Sequence, residues 1–175
     1  MLVGAGQFDK EVSKLDSLPA VNNNLEDLAG LLKTAWNLPP QHIDIVRNPT
    51  VPRDLSRAVQ RAADDATDTL LIYYAGHGLI DPHQGDDLHL AVYSTEKSSV
   101  HDTAVPYKWI KRAVENTVAD RRIVILDCCY SARAFGILSD NTLPEVALIS
   151  QGTYLLAAAA ETAVALSPPG ERHTA

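Results

Sequence analysis

Two stretches of the chain are apolar without interruption. Residues Thr69–Ala75 are rich in β-branched and aromatic side chains and are closed by Gly76. Residues Arg122–Asp127 open on a basic doublet and close on an acid. Runs that do not alternate suit strands of a parallel sheet buried on both faces. Leu2–Gly4 reads as the end of a first strand, His42–Val46 as another, and Thr153–Ala158 as a last one. Leu88–Tyr93 alternates polar and apolar residues, which predicts a short hairpin arm on the surface. Helical spacing lies between these runs. Asn24 can cap a helix over Leu25–Ala35, with Leu25, Leu28, Leu31, Leu32 and Ala35 on one face. Pro39-Pro40 stops it. Pro52 suits the first turn of a helix to Asp65, with Leu55, Val59 and Ala62 inward. Pro106 opens a third through Glu115, with Trp109, Ile110 and Ala113 inward.

The alternation of strands and helices predicts an α/β fold: a mostly parallel sheet with helices on both faces. The 175 residues suit one domain, with no internal repeat, and the tail Leu166–Glu171 reads as a loop. The longest apolar stretch, Tyr154–Ala160, falls far short of the roughly 18 residues that span a bilayer. Met1–Gly4 leads into polar residues without a basic leader, which gives the expectation of a cytoplasmic protein with no membrane partner. A net charge of −7 argues against nucleic acid as the main ligand. The basic doublets Lys111-Arg112 and Arg121-Arg122 read as solvated element ends. The two cysteines, Cys128 and Cys129, are adjacent, so they cannot form a disulfide of normal geometry. They also suit zinc poorly, because neighbouring thiols on a strand point opposite ways.

Open α/β sheets place their sites at the carboxyl ends of the strands. Here one central strand ends in Gly76-His77-Gly78 and another in Asp127-Cys128-Cys129. If those strands are parallel neighbours, an imidazole and a thiol meet although they lie far apart in sequence. The imidazole raises the reactive fraction of the thiol and can protonate a leaving amine. The backbone N–H groups of Gly78 and of the nucleophilic cysteine could hold a developing oxyanion. No strand is followed by Gly-x-Gly-x-x-Gly or a phosphate-binding lysine loop, which disfavours a nucleotide-binding domain.

Tyr74-Ala75-Gly76-His77-Gly78 after one apolar strand and Ile125-Leu126-Asp127-Cys128-Cys129-Tyr130-Ser131 after another resemble the caspase, metacaspase and paracaspase superfamily, most closely its bacterial caspase-like members. The interval between His77 and Cys129 matches the roughly 50 residues of caspases. Gly152–Ala158 and His173-Thr174-Ala175 resemble later segments of bacterial members. The resemblance implies a caspase-like three-layer sandwich and a cysteine endopeptidase with a His77/Cys129 dyad and no cofactor. A complete caspase-like sheet has a further strand and helix beyond the segment matching Gly152–Ala158, which this single domain over residues 1–175 is expected to lack, and the resemblance also implies sensor or effector modules fused outside this chain.

The metacaspase pattern Asp-x-Cys maps the nucleophile onto Cys129 and leaves Cys128 as a small buried hydrophobe. Strand alternation agrees in part, putting Asp127 and Cys129 on one face. Caspases carry Gln where this chain has Asp127, and cleave after Asp; metacaspases carry Asp and cleave after Arg or Lys. A carboxylate at Asp127 attracts a basic side chain, so the expected substrate is a peptide with Arg or Lys before the cleaved bond. The chain departs from the metacaspase pattern at Ser94, where a second acid is expected; Asp86, Asp87 or Asp102 could substitute. Tyr130 stands where His is common, and Ala132 where Gly is usual. Asp81, Asp86 and Asp87 leave calcium activation open but lack the spacing of a calcium loop. Arg133, in a predicted loop Arg133–Gln151, and Arg172 are candidate self-cleavage sites. The alternative function is a catalytically silent caspase-like interaction module, against which the retention of both His77 and Cys129 argues.

Overall fold

The computed structural model describes residues 1–81, 87–131, 134, 146–150 (backbone), 152–157 and 172. Six strands form one sheet in the order β2-β1-β3-β7-β9-β8. They are β1 (Leu2–Gly4), β2 (Ile45–Arg47), β3 (Thr69–Ala75), β7 (Arg121–Asp127), β8 (Val146–Ser150) and β9 (Thr153–Ala157). All pairings are parallel except β8 with β9, at the edge. A second, antiparallel sheet joins β4 (Gly78–Ile80), β5 (Leu88–Leu90) and β6 (Val105–Pro106). The helices are α1 (Ala20–Ala35), α2 (Pro52–Asp65), the short α3 (Val100–Thr103) and α4 (Tyr107–Asn116).

The side-chain alternation of β3 divides the core in two. Tyr73 and Ala75 join Leu2, Val21, Leu25, Ala29 and Leu32 under α1. Leu70, Ile72 and Tyr74 join Leu55, Val59, Ile110, Val114 and Leu126 under α2 and α4. Helices on both faces explain why Leu70–Ile72 of β3 and Ile123–Leu126 of β7 are apolar without a break, and each fully buried large aliphatic contributes roughly 1.5–3 kcal/mol. The α/β, caspase-like layering expected from the sequence is the observed one. Among the described residues no helix is long and apolar enough to cross a membrane.

Several local expectations are corrected. Asn24 caps nothing: α1 starts four residues earlier, at Ala20, behind Pro19 and without a side-chain cap. Leu31 and Ala35 face out, as does Trp109 on α4. Residues Pro40–His42 form a 3-10 turn, so β2 starts only at Ile45. β5 is no surface arm; Leu88, His89 and Leu90 are all buried between β4, β6 and α4. His89 satisfies its ring by Nδ1 to the Asp87 carbonyl at 2.9 Å. Strand β8 lies within the segment read as a loop. The start of α2 behaves as expected: Pro52 follows Val51, whose N–H donates to Asp54 Oδ2 at 3.2 Å.

Candidate active site

β3 and β7 lie side by side at the centre of the sheet, parallel, and both end on the same rung, Ala75 opposite Asp127. The Gly76 N–H carries the ladder one step further, donating to the Asp127 carbonyl at 3.2 Å. Two residues past that rung come His77 on one chain segment and Cys129 on the other. Between them Gly78 packs directly on the backbone of Cys129. A side chain at Gly78 would collide with the Cys129 carbonyl oxygen and come within 3.1 Å of Cys128 Sγ. Only glycine permits this approach. The Ala91 N–H donates to the His77 carbonyl at 3.0 Å, so the antiparallel alternation turns the Gly78 N–H away from β5.

The loop between β1 and α1 covers His77. Its Asp16 carbonyl accepts from His77 Nε2 at 2.8 Å, and its Phe8 ring lies 5.1 Å from the imidazole, centroid to centroid. A carbonyl can only accept, so the proton sits on Nε2 and Nδ1 is the basic nitrogen of the neutral ring. The loop is pinned at its start: the N–H groups of Gly6 and Gln7 both donate to Asn48 Oδ1, at 2.9 and 3.0 Å. Burial lowers the His77 pKa, outweighing the upward pull of the Asp16 carbonyl and carboxylate, and Lys97 adds to the lowering. From the core side the buried Tyr74 hydroxyl lies 3.0 Å from the His77 carbonyl and 2.9 Å from that of Ala91, tying the histidine turn to the end of β5. A cleft of about 650 Å³ runs along the covering loop, lined in part by Phe8, Asp9, Glu11, Asn22 and Tyr93.

The two cysteines differ in setting. β7 stops at Asp127, and the chain turns through Cys128 and Cys129 into Tyr130, whose φ of 58° is left-handed. The alternation expected to run on through Cys129 therefore does not apply. A bulky residue in that region is a backbone outlier that the surrounding packing must enforce. Cys128 is 1% exposed and belongs to the main core, and burial pushes its thiol well up. Cys129 is 9% exposed and lies outside both core clusters. Both thiols are free.

Asp127 is half-buried and faces α1. Its Oδ2 accepts from Asn24 Nδ2 at 3.0 Å and from the Tyr73 hydroxyl at 3.0 Å. Burial, and then the neighbouring Asp127 carboxylate, push the Tyr73 hydroxyl far above its usual range, so it is a donor. Of the other acids, Asp81 is buried, exposed Asp87 pairs with Lys108 Nζ at 3.8 Å, and exposed Asp102 lies by Ser99. Ser94 sits in a turn with its N–H on the Thr50 carbonyl, 3.1 Å. Exposed Arg172 forks onto Asp27 of α1, and its carbonyl accepts from Asn23. Asp86, Arg133, Ala132 and His173-Thr174-Ala175 lie outside the described residues.

Sequence reasoning missed Asp16, Phe8, Asn24, Tyr73 and Tyr74. The signals available were a polar residue on the apolar face of α1 and two hydroxyls inside an apolar strand. The Asp16 contact is made by a backbone carbonyl and leaves no trace in residue type.

A doubly covered parallel sheet with a thiol and an imidazole at the ends of two adjacent strands defines a cysteine-peptidase-like α/β protein. The chain belongs to the caspase-domain family, whose model (Caspase domain) matches residues 1–169. The fold is similar to the crystal structure of protein GSU0716 from Geobacter sulfurreducens, with a TM-score of 0.56 and 19% identity. The likeness covers 74% of this chain and 50% of that one, so the chain spans half the length of that protein. No curated protein matches it.

Proposed function

We propose that this chain is a cysteine endopeptidase of the metacaspase type, cleaving peptide bonds after Arg or Lys without a cofactor. The observation that carries the reading is the β3–β7 rung, Ala75 opposite Asp127, with Gly78 in contact with the Cys129 backbone. Family membership and the packing of Cys128, rather than the less deeply buried Cys129, in the main core cluster support it.

In this reading Cys129 Sγ attacks the scissile carbonyl carbon while its proton passes to His77 Nδ1. The N–H groups of Gly78 and Cys129 hold the oxyanion. As the tetrahedral species collapses, the C–N bond breaks and the imidazolium gives its proton to the departing amine. Water then attacks the thioester, losing a proton to His77, and the acid product leaves with the thiol restored. The Asp16 carbonyl keeps the ring in the tautomer that has a basic Nδ1. Asp127 supplies the negative charge of the pocket for the basic side chain. Two free thiols, one of them the nucleophile, suit the reducing cytoplasm.

A positional peptide library tests the reading on wild type, Cys129→Ala and His77→Ala. Cleavage after Arg and Lys by the wild type alone is the expected outcome. Turnover by Cys129→Ala, or faster cleavage after Asp than after Arg, contradicts it.

A further inference from the structure

Where β3 begins, at the end of the sheet opposite Ala75 and Asp127, the surface holds an apolar cavity of about 250 Å³. Leu32, Trp36, Leu38, Ile43 and Leu71 line it. It shares Met1, Leu38, His42, Asp68 and Thr69 with a wider cleft of about 550 Å³, so the two form one groove. Backbone sets its walls. α1 ends at Ala35, Asn37 takes a left-handed φ of 51°, and the Leu38 N–H donates to the Leu32 carbonyl at 3.1 Å. The His42 and Ile43 N–H groups close the 3-10 turn on the carbonyls of Pro39 and Pro40, at 2.9 and 3.1 Å. Trp36 is 57% exposed. A large aromatic left in water beside a preformed apolar cavity suits a recognition anchor, because it buries much area while ordering few bonds.

The charges around the groove select its occupant. Asp44, Asp65 and Asp68 line the wider cleft, and all three are exposed. Asp68 is held by Arg121 Nη1 at 2.9 Å. The one cation among the lining residues, the Met1 ammonium, lies near Asp44 and is turned inward onto the Leu71 carbonyl at 3.0 Å. The rim is therefore net negative. It repels anionic lipid headgroups and phosphate backbones, and equally a second copy of a chain whose net charge is −7.

We infer that this groove docks a segment of another protein in which one bulky apolar residue is flanked by lysines or arginines. The apolar side chain fills the cavity beside Trp36, and the cations lie along Asp44 and Asp65. Thr69, in the groove, and Ala75 are the two ends of β3, roughly 20 Å apart at the rise of a strand. A partner held there leaves the His77 and Cys129 end open, and its docking does not depend on the peptidase reading.

The test is fluorescence anisotropy on the full chain as Cys129→Ala, so that a basic probe is not cut. The probe is a fluorescein-labelled heptapeptide with phenylalanine at its centre, a pair of lysines on each side and glycine at each end. Saturable binding is expected with a Kd below about 100 µM. Trp36→Ala is expected to weaken it about tenfold, as is serine in place of the probe's phenylalanine. Asp44→Lys combined with Asp65→Lys is expected to weaken it about tenfold as well. These side chains are exposed, and equal melting temperatures check that the variants fold. No saturable binding below about 1 mM, or undiminished binding by Trp36→Ala or by the serine probe, overturns the inference. It is also overturned if the probe does not bind while Trp36→Ala abolishes sedimentation with phosphatidylserine vesicles or splits a dimer, since the groove then takes a membrane or a second copy.

Discussion

Gly78 and Cys129 touch through their backbones: the carbonyl oxygen of Cys129 occupies the space that any side chain on Gly78 would need. This contact joins the histidine turn to the cysteine turn. The obstacle is backbone, not a flexible side chain, so it cannot swing aside. Gly78→Ala is therefore expected to push the two turns apart. Overpacking of this kind costs roughly 1–3 kcal/mol of stability, and a displacement near 1 Å costs about 100-fold in kcat. Thermal melting and peptide turnover on the purified variant check both numbers. Near-wild-type turnover would show that the contact is dispensable.

The cysteines are expected to react unequally. Cys128 is sealed in the main core cluster with its thiol pushed up by burial, and Cys129, buried but less deeply, sits at the turn outside both clusters. Brief treatment of the folded protein with iodoacetamide, followed by peptide mass mapping, is expected to mark Cys129 and spare Cys128. Cys128→Ala is expected to keep most activity and lose about 1 kcal/mol of stability, the cost of a small buried group. Preferential labelling of Cys128 would move the nucleophile.

Burial depresses the His77 pKa from its ordinary 6.5. The sign follows directly. The neutral ring is the working base, and burial disfavours the imidazolium, so activity persists as pH falls through 6.5 and is lost only below it. Phe8→Ala admits water beside the ring and is expected to move the acid limb of kcat/KM upward, at a stability cost of about 3 kcal/mol. A limb that moves down in this variant would mean that burial is not what sets the value.

Tyr74→Phe removes the hydroxyl that reaches the His77 and Ala91 carbonyls from inside the core. The single O–H shared by the two carbonyls is lost, while the His77 carbonyl keeps the Ala91 N–H, at a cost of about 1–3 kcal/mol. The freed histidine turn is expected to lower kcat about tenfold, with KM within about twofold, because Tyr74 orients the base and does not meet substrate. Steady-state kinetics separate the two constants; a change confined to KM would contradict this role.

The parts of the fold legible in the sequence were those set by local pattern. The apolar runs of β3 and β7 have no alternation to confuse, and their ends carry Gly76-His77-Gly78 and Asp127-Cys128-Cys129 at the rung where the chemistry lies. What stayed hidden was set by distant partners. Asn24 resembles a helix cap because Asn22-Asn23-Asn24 is polar, yet its partner is Asp127, 103 residues away. His89 makes β5 look half-exposed, but a local carbonyl satisfies its ring and lets the strand be buried. Likewise Asp16 acts through its backbone, at 61 residues' separation from His77.

The measurement closest to the central claim is covalent labelling by a peptidyl acyloxymethyl ketone that carries Arg at the position before the warhead. Intact mass and peptide mapping are expected to show one adduct, on Cys129, formed faster than with the matching Asp reagent and greatly slowed in His77→Ala. An adduct on Cys128, no adduct at all, or faster labelling by the Asp reagent would contradict the account.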